Sequence, residues 1–144
     1  MIDRILSWFN HDDEDAAPRE GNAARAVCLL LVSAARADGT FAADEAREIA
    51  RQVSGFFELP PEETAELVTL AAGEDQQDLF AAARVLNEQF STDRRREVLQ
   101  LMWKVVFADG RLESHEDILM HRVAKLLNIP HRELIALKLA ARDD

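Results

Sequence analysis

The sequence predicts an all-α fold of about seven helices in two pseudo-twofold-related helical repeats, with a short helix at the N-terminus. Three observations carry this reading. Apolar residues recur at three- and four-residue spacing along most of the chain, and no segment alternates with a period of two for long enough to make a strand. Alanine, leucine, glutamate and arginine dominate, and only four prolines and five glycines interrupt them, a composition that favours helix. The chain also repeats itself: Val27-Cys28-Leu29-Leu30-Leu31 through Arg36-Ala37-Asp38-Gly39 matches Val98-Leu99-Gln100-Leu101-Met102 through Phe107-Ala108-Asp109-Gly110, 71 residues later.

The elements follow in order. Residues 2–9 place Ile2, Ile5, Leu6 and Phe9 on one helical stripe, with Trp8 beside it. His11 and the acidic run Asp12-Asp13-Glu14-Asp15 follow, ending at Pro18, and read as a solvated linker. Residues 1–20 are therefore an amphipathic helix and acidic linker, and 21–144 a helical domain. Helix one starts near Asn22, an N-cap residue type, and runs to about Ala37 on the stripe Val27, Leu30, Leu31, Ala34. Gly39 offers the left-handed turn that ends it. Helix two spans about 43–57. Leu59-Pro60-Pro61 breaks it, and Pro61 suits the first turn of helix three, which Gly73 closes after Ala72.

A connector helix over about 75–90, capped by Asp75, carries Leu79, Val85, Leu86 and Phe90. Ser91-Thr92 opens helix five, which runs to about Ala108 and ends at Gly110. Glu113 or Ser114 opens helix six, Asn128 caps its C-terminus, and Pro130 precedes helix seven with Leu134, Ile135, Leu137 and Leu139. The repeats thus cover about 22–72 and 93–142. Within them Phe41 falls on Leu112, Glu45 on Glu116, Ile49 on Met120 and Arg51 on Arg122. One residue drops out near Phe57, after which Leu59-Pro60 falls on Ile129-Pro130 and Leu67 on Leu137.

Bulk properties exclude several functions. A hydrophobic content of 48% in 144 residues supports one core without disulfides or a structural metal. A formal charge of −10 argues against nucleic acid, where a basic footprint supplies most of the affinity, and against anionic lipid. The single Arg4 of residues 2–9 also argues against membrane contact there. That stripe is expected to pack on the body or on a second copy of the chain, giving a homodimer. The one cysteine, Cys28, lies in an apolar run with no basic neighbour and reads as buried filler, compatible with a reducing cytoplasm. Met1–Asn10 is too short and too poor in basic residues for a signal peptide. No Gly-x-Ser-x-Gly, His-Glu-x-x-His or glycine-rich phosphate loop occurs, so no enzyme activity is expected.

Two clusters are candidate sites. Asp38 and Glu45 in one corner, and Asp109 and Glu116 in the other, are first capping groups: each Glu can reach back to a free backbone N–H and complement the helix dipole. Converging across a pseudo-twofold, the same four carboxylates would offer oxygens to a hard divalent cation. They are not EF-hands, since Thr40 and Arg111 stand at the third loop position. Arg94-Arg95-Arg96 opposes the dipole of helix five, so these cations need partners: nearby acids such as Asp93 and Glu97, or an acidic partner or an anion docked from outside. Trp103 and Phe107 read as core. His115, His121 and His131 show no metal-ligand spacing, and His11 lies in the acidic linker, where its metal binding would be weak.

The ordered pair Ala37-Asp38-Gly39-Thr40-Phe41 with Glu45, and Ala108-Asp109-Gly110-Arg111-Leu112 with Glu116, resembles the TerB-like family, named for tellurite resistance. The likeness covers residues 22–142, and Leu126-Leu127-Asn128-Ile129-Pro130 looks like that family's exit from helix six. The resemblance implies a fold of about seven helices and a link to tellurite resistance and stress response in bacteria. It implies an interaction or sensing role without an agreed reaction, in some members with a suggested metal. Ala42 departs from the Ser or Thr cap usual there. The expected function is a non-enzymatic module with a protein partner. The alternative is a divalent-cation-binding domain using the two Asp/Glu corners, with no other cofactor.

Overall fold

The structure, a computed structural model, describes residues 19–37, 41–74, 78–109 and 114–143. These form α1 (Arg19–Arg36), α2 (Ala43–Phe57), α3 (Pro61–Ala72), α4 (Leu79–Gln89), α5 (Thr92–Val106), α6 (Ser114–Leu126) and α7 (His131–Arg142), with a 3₁₀ turn at Phe107–Asp109. No strand occurs among the described residues. The predicted helix over 2–9, the acidic linker, Asp38, Gly39 and Gly110 lie outside them, as do the side chains of Asp109 and His115.

Three boundaries differ from the sequence reading. α1 begins a turn before Asn22, which is helical; the alanines Ala23, Ala24 and Ala26 favour helix more than the asparagine favours a cap. The connector starts at Leu79 and ends at Gln89 rather than spanning 75–90. Asp78 is its N-cap, accepting the Ala81 N–H at 3.0 Å. α5 stops at Val106, and its last turn tightens into the 3₁₀ segment. Its start is as read, with Ser91 Oγ accepting the Arg94 N–H at 3.2 Å.

The duplication holds at the level of backbone. Ala43 and Ser114 open α2 and α6 at the offset of 71, and α3 and α7 coincide at both ends at the offset of 70. Between them, the non-glycine residues with positive φ among those described are Glu58 (54°) and Asn128 (60°), again 70 apart. Each is a left-handed helix exit in which the next N–H folds back: Leu59 to the Ser54 carbonyl at 3.1 Å, Ile129 to that of Ala124 at 2.9 Å.

α1 packs against α2, α3, α4, α5 and α6, and α5 against α1, α2, α6 and α7. Each repeat's second helix therefore touches the other repeat's first, as a pseudo-twofold requires. α4 covers α1 and reaches α6, with no counterpart over α5 among the described residues. This explains why α1 is buried on nearly every side, from Ala23 through Leu30 and Leu31 to Ala35, whereas α5 buries one stripe: Val98, Leu99, Met102, Trp103, Val106. Each fully buried Leu contributes about 1.5–3 kcal/mol of apolar transfer. Cys28 is among them, and burial pushes its thiol up to about 12, so it stays protonated and inert.

Candidate functional site

The arginine run at the start of α5 closes the exits of both repeats. The last carbonyls of a helix have no partner within it. At the α2 exit, Arg94 Nη2 donates to the Phe56 carbonyl at 2.8 Å while its guanidinium lies 3.7 Å from the Phe56 ring centroid. At the α6 exit, Arg95 Nη1 donates to the Leu127 carbonyl at 2.5 Å, and Asn87 of α4 to that of Leu126 at 2.9 Å. Arg95 also meets the Asn87 side chain at 3.1 Å. Arg96 pairs with Asp93 at 2.5 Å and with Glu133 in the first turn of α7. The cations that oppose the α5 dipole thus complement the C-terminal dipoles of α2 and α6. Phe56, Phe57 and Phe90 form an aromatic cluster beneath Arg94, with centroids 4.9 to 6.2 Å apart.

The two corners meet in one cavity of about 260 Å³. Its walls include Ala35 with Val106 and Glu45 with Glu116, two pairs related by the offset of 71, so it sits across the pseudo-twofold. Asp44 and Glu48 add carboxylates to its rim. Glu45 performs the capping role: its Oε1 accepts the Ala42 N–H at 3.1 Å. Ala42 has the extended cap conformation but no side chain to complete the reciprocal bond. Glu116 is 3% exposed. Hydrogen bonds from Arg51 and Gln52 hold the Glu48 carboxyl below its ordinary range, Arg51 dominating. Among the described residues no group of three or more His, Cys, Asp or Glu side chains is arranged to hold a metal ion.

A larger feature went unnoticed in the sequence. α2 and α3 leave an open groove of about 600 Å³ between their outer faces. Ala46, Ala50 and Ser54 line it from α2, Ala65, Val68 and Thr69 from α3, and Phe41 stands at one end. Arg47 and Arg51 form its rim, each paired with a carboxylate three residues earlier, Asp44 and Glu48. The signal was the small-residue stripe at positions 46, 50 and 54, which a helix aligns on one face.

The second repeat carries different residues at several of these positions. At the two offsets Ala46 and Ala50 fall on Asp117 and His121, and Pro61 and Val68 on His131 and Lys138. Lys138 Nζ lies 3.1 Å from Asp117 Oδ1, His121 Nε2 3.5 Å from Asp117 Oδ2, and the His121 and His131 rings are 5.0 Å apart. Four polar side chains thus stand where the first repeat has Ala46, Ala50, Pro61 and Val68, while Ala65 falls on Ile135 and Thr69 on the exposed Leu139. The structure also brings together two histidines that spacing alone does not relate.

A family model described as Tellurite resistance protein TerB matches residues 24–139. No curated protein and no solved structure matches the chain. The match covers most of the helical body, and the chain belongs to that family. No helix among the described residues is long and apolar enough to cross a membrane.

Proposed function

We propose that this TerB-family chain is a non-enzymatic protein-interaction module serving tellurite resistance or stress response in bacteria, and that the α2–α3 groove is its docking surface. The observation that supports this is the asymmetry between the repeats: positions that wall an open apolar trough in the first carry Asp117, His121, His131 and Lys138 in the second. The fold therefore does not require the trough. Its volume falls in the range of ligand clefts, and alanine walls leave room for large apolar side chains from a partner. An amphipathic helix presenting such a stripe is the chemistry that fits. The docking surface is placed here rather than on Arg94, Arg95 and Arg96 because those guanidiniums already bind carbonyls and carboxylates of their own chain.

The test grafts the second repeat's filling onto the first. Wild type and the double variant Ala46→Asp, Ala50→His are used as bait in extract of the source cells, with helicity checked by circular dichroism. Partners lost from a folded variant support the groove. Identical partner sets for the two proteins overturn it.

A second reading is favoured by the cavity that Glu45 and Glu116 both line, with Asp38 and Asp109 in the adjoining turns by sequence: a divalent cation bound across the pseudo-twofold. Calorimetric titration with calcium, magnesium, manganese and zinc decides it. A bound ion must raise the melting temperature, because a ligand that prefers the native state stabilises it.

A further inference from the structure

We propose that a cleft between α2 and α5, separate from the α2–α3 groove, binds a small zwitterion with an apolar body, of which an apolar α-amino acid is the simplest.

The cleft has a volume of about 570 Å³, the size of ligand sites. Both repeats line it: α2 from the first, and α5 with Ala141 of α7 from the second. Its position follows from a break in the pseudo-twofold. α4 covers α1 and reaches α6, and nothing among the described residues covers α5 and α2 in the same way. Residues of the cleft therefore have their equivalents in closed core. Gln52 falls on Val123, Phe56 on Leu127, Leu101 on Leu30 and Ala141 on Ala71, and those four equivalents are fully buried.

Two features suit the cleft to a ligand. The first is its charges. Glu48 of α2 and Lys104 of α5 both line it. Lys104 makes no ion pair or hydrogen bond among the described residues, yet its field helps keep Glu48 ionised, behind the hydrogen bonds from Arg51 and Gln52. Opposite charges thus share one cleft without meeting. A ligand that carries both signs satisfies both, with its ammonium on the Glu48 carboxylate and its carboxylate on the Lys104 ammonium. A ligand of one sign would leave one of them without a partner and meet the other as a like charge. Phe56, Leu101 and Phe107, partly buried against the core, offer the same cleft an apolar surface for the ligand's side chain.

The second feature is Gly55, which lines the cleft from within α2. Glycine is unfavourable inside a helix, and packing does not demand it here, since an added Cβ would meet nothing within 4 Å. The second repeat has Leu126 at this place, packed against the core. Glycine leaves open what a leucine would fill.

The test is an amide NMR titration of the isotope-labelled full chain with leucine, methionine, phenylalanine and tryptophan at up to millimolar concentration. At least one of them is expected to shift the amides of Gln52, Gly55, Leu101 and Lys104 saturably. The matching acid without the ammonium, and the matching amine without the carboxylate, should each bind about tenfold more weakly or worse, the scale of one charged hydrogen bond. Lys104→Ala and Gly55→Leu, which act from opposite walls, should weaken binding by about tenfold or more. Arg84→Ala, at an exposed site on α4, should leave it unchanged. The amide spectrum itself reports whether each variant is folded, and two variants are used so that failure of one to fold leaves the other to decide. The proposal is overturned if none of the four amino acids shifts those amides, if an analogue of one sign binds as tightly as the zwitterion, or if both folded cleft variants bind like wild type. Neither substitution touches a residue of the α2–α3 groove, so these results leave the docking reading to the bait experiment.

Discussion

The α2–α3 and α6–α7 hairpins agree in helix start, left-handed exit and entry into the last helix, yet four equivalent positions on their outer faces differ in polarity. One is walled by Ala46, Ala50, Ala65 and Val68; the other is bridged by Asp117, His121, His131 and Lys138. The backbone devices that make the turn are the same because each serves folding: a proline entry, a folded-back N–H, an arginine on the last carbonyl. The faces differ because nothing in folding holds them alike. A duplicated unit thereby separates what the fold needs from what is free to specialise, and the specialised face is the place to look for function.

The central helices differ in the same informative way. Val32 of α1 and Trp103 of α5 are equivalent at the offset of 71, and both are fully buried. Trp103 stacks on Phe107 with centroids 5.7 Å apart and has Lys138 Nζ 5.6 Å over its ring, so the second repeat builds its core on one large side chain. Trp103→Ala is expected to cost about 3–5 kcal/mol, by lost burial plus the cavity left behind. Val32→Ala, beneath the cover of α4, should cost about 1–2 kcal/mol for two buried carbons. Urea unfolding of both variants checks this. Equal costs would mean that the two central helices carry the core alike.

A smaller effect separates the two uses of the arginine run. Arg95→Ala removes charged hydrogen bonds to the Leu127 carbonyl and Asn87, and is expected to destabilise by about 2 kcal/mol. Arg94→Ala, which breaks a surface pair with Glu97, should cost about 1 kcal/mol. If both variants keep wild-type stability but lose a partner in the bait experiment, the run is a docking patch and the groove is not the whole surface.

Much of this was legible beforehand because it is local or repetitive. The helices, the Asn128 exit, the Glu45 reach-back and the duplication follow from spacing and residue type. What escaped depends on contacts between distant segments. Glu58 takes a left-handed conformation that its residue type does not announce. His121 and His131 meet because α6 and α7 pack at a particular register. The alanines of α2 look like ordinary helix formers until α3 is placed beside them. Glu45 was legible as a cap. That Glu45 and Glu116 share a cavity needed the pseudo-twofold itself.

Cys28 offers a test through pH. Its counterpart in the second repeat is Leu99, so only the first core contains an ionisable group at this place. The thiol is raised from an ordinary 9.0 to about 12 by burial. Its neutral form is therefore favoured by folding. The stabilisation is complete below pH 9 and is lost as pH rises towards 12, because the unfolded thiol ionises first. At pH 10 the loss should be about 1.4 kcal/mol relative to pH 8. Unfolding free energies of wild type and Cys28→Ala at the two pH values should differ by that slope. Parallel pH dependence would show that the native fold admits a thiolate.

The smallest expected effect bears on the corners. Ala42 has φ −87° and ψ 161°, the conformation of an N-cap, and Glu45 already completes its half of a capping box by accepting the Ala42 N–H. A serine there would accept the Glu45 N–H and satisfy one more orphan donor, at an exposed position with no packing to disturb. Ala42→Ser should therefore stabilise by about 0.5–1 kcal/mol, and Ser91→Ala on α5 should lose as much. Glu45→Gln keeps an acceptor for Ala42 but removes the charge, so a purely capping Glu45 predicts a loss of only about 0.3–1 kcal/mol. The pair of measurements separates the two roles given to this corner. If Ala42→Ser stabilises and Glu45→Gln costs little with or without millimolar divalent ion, Glu45 acts as architecture. If Glu45→Gln abolishes an ion-dependent rise in melting temperature that Ala42→Ser retains, the carboxylate serves the cavity it shares with Glu116.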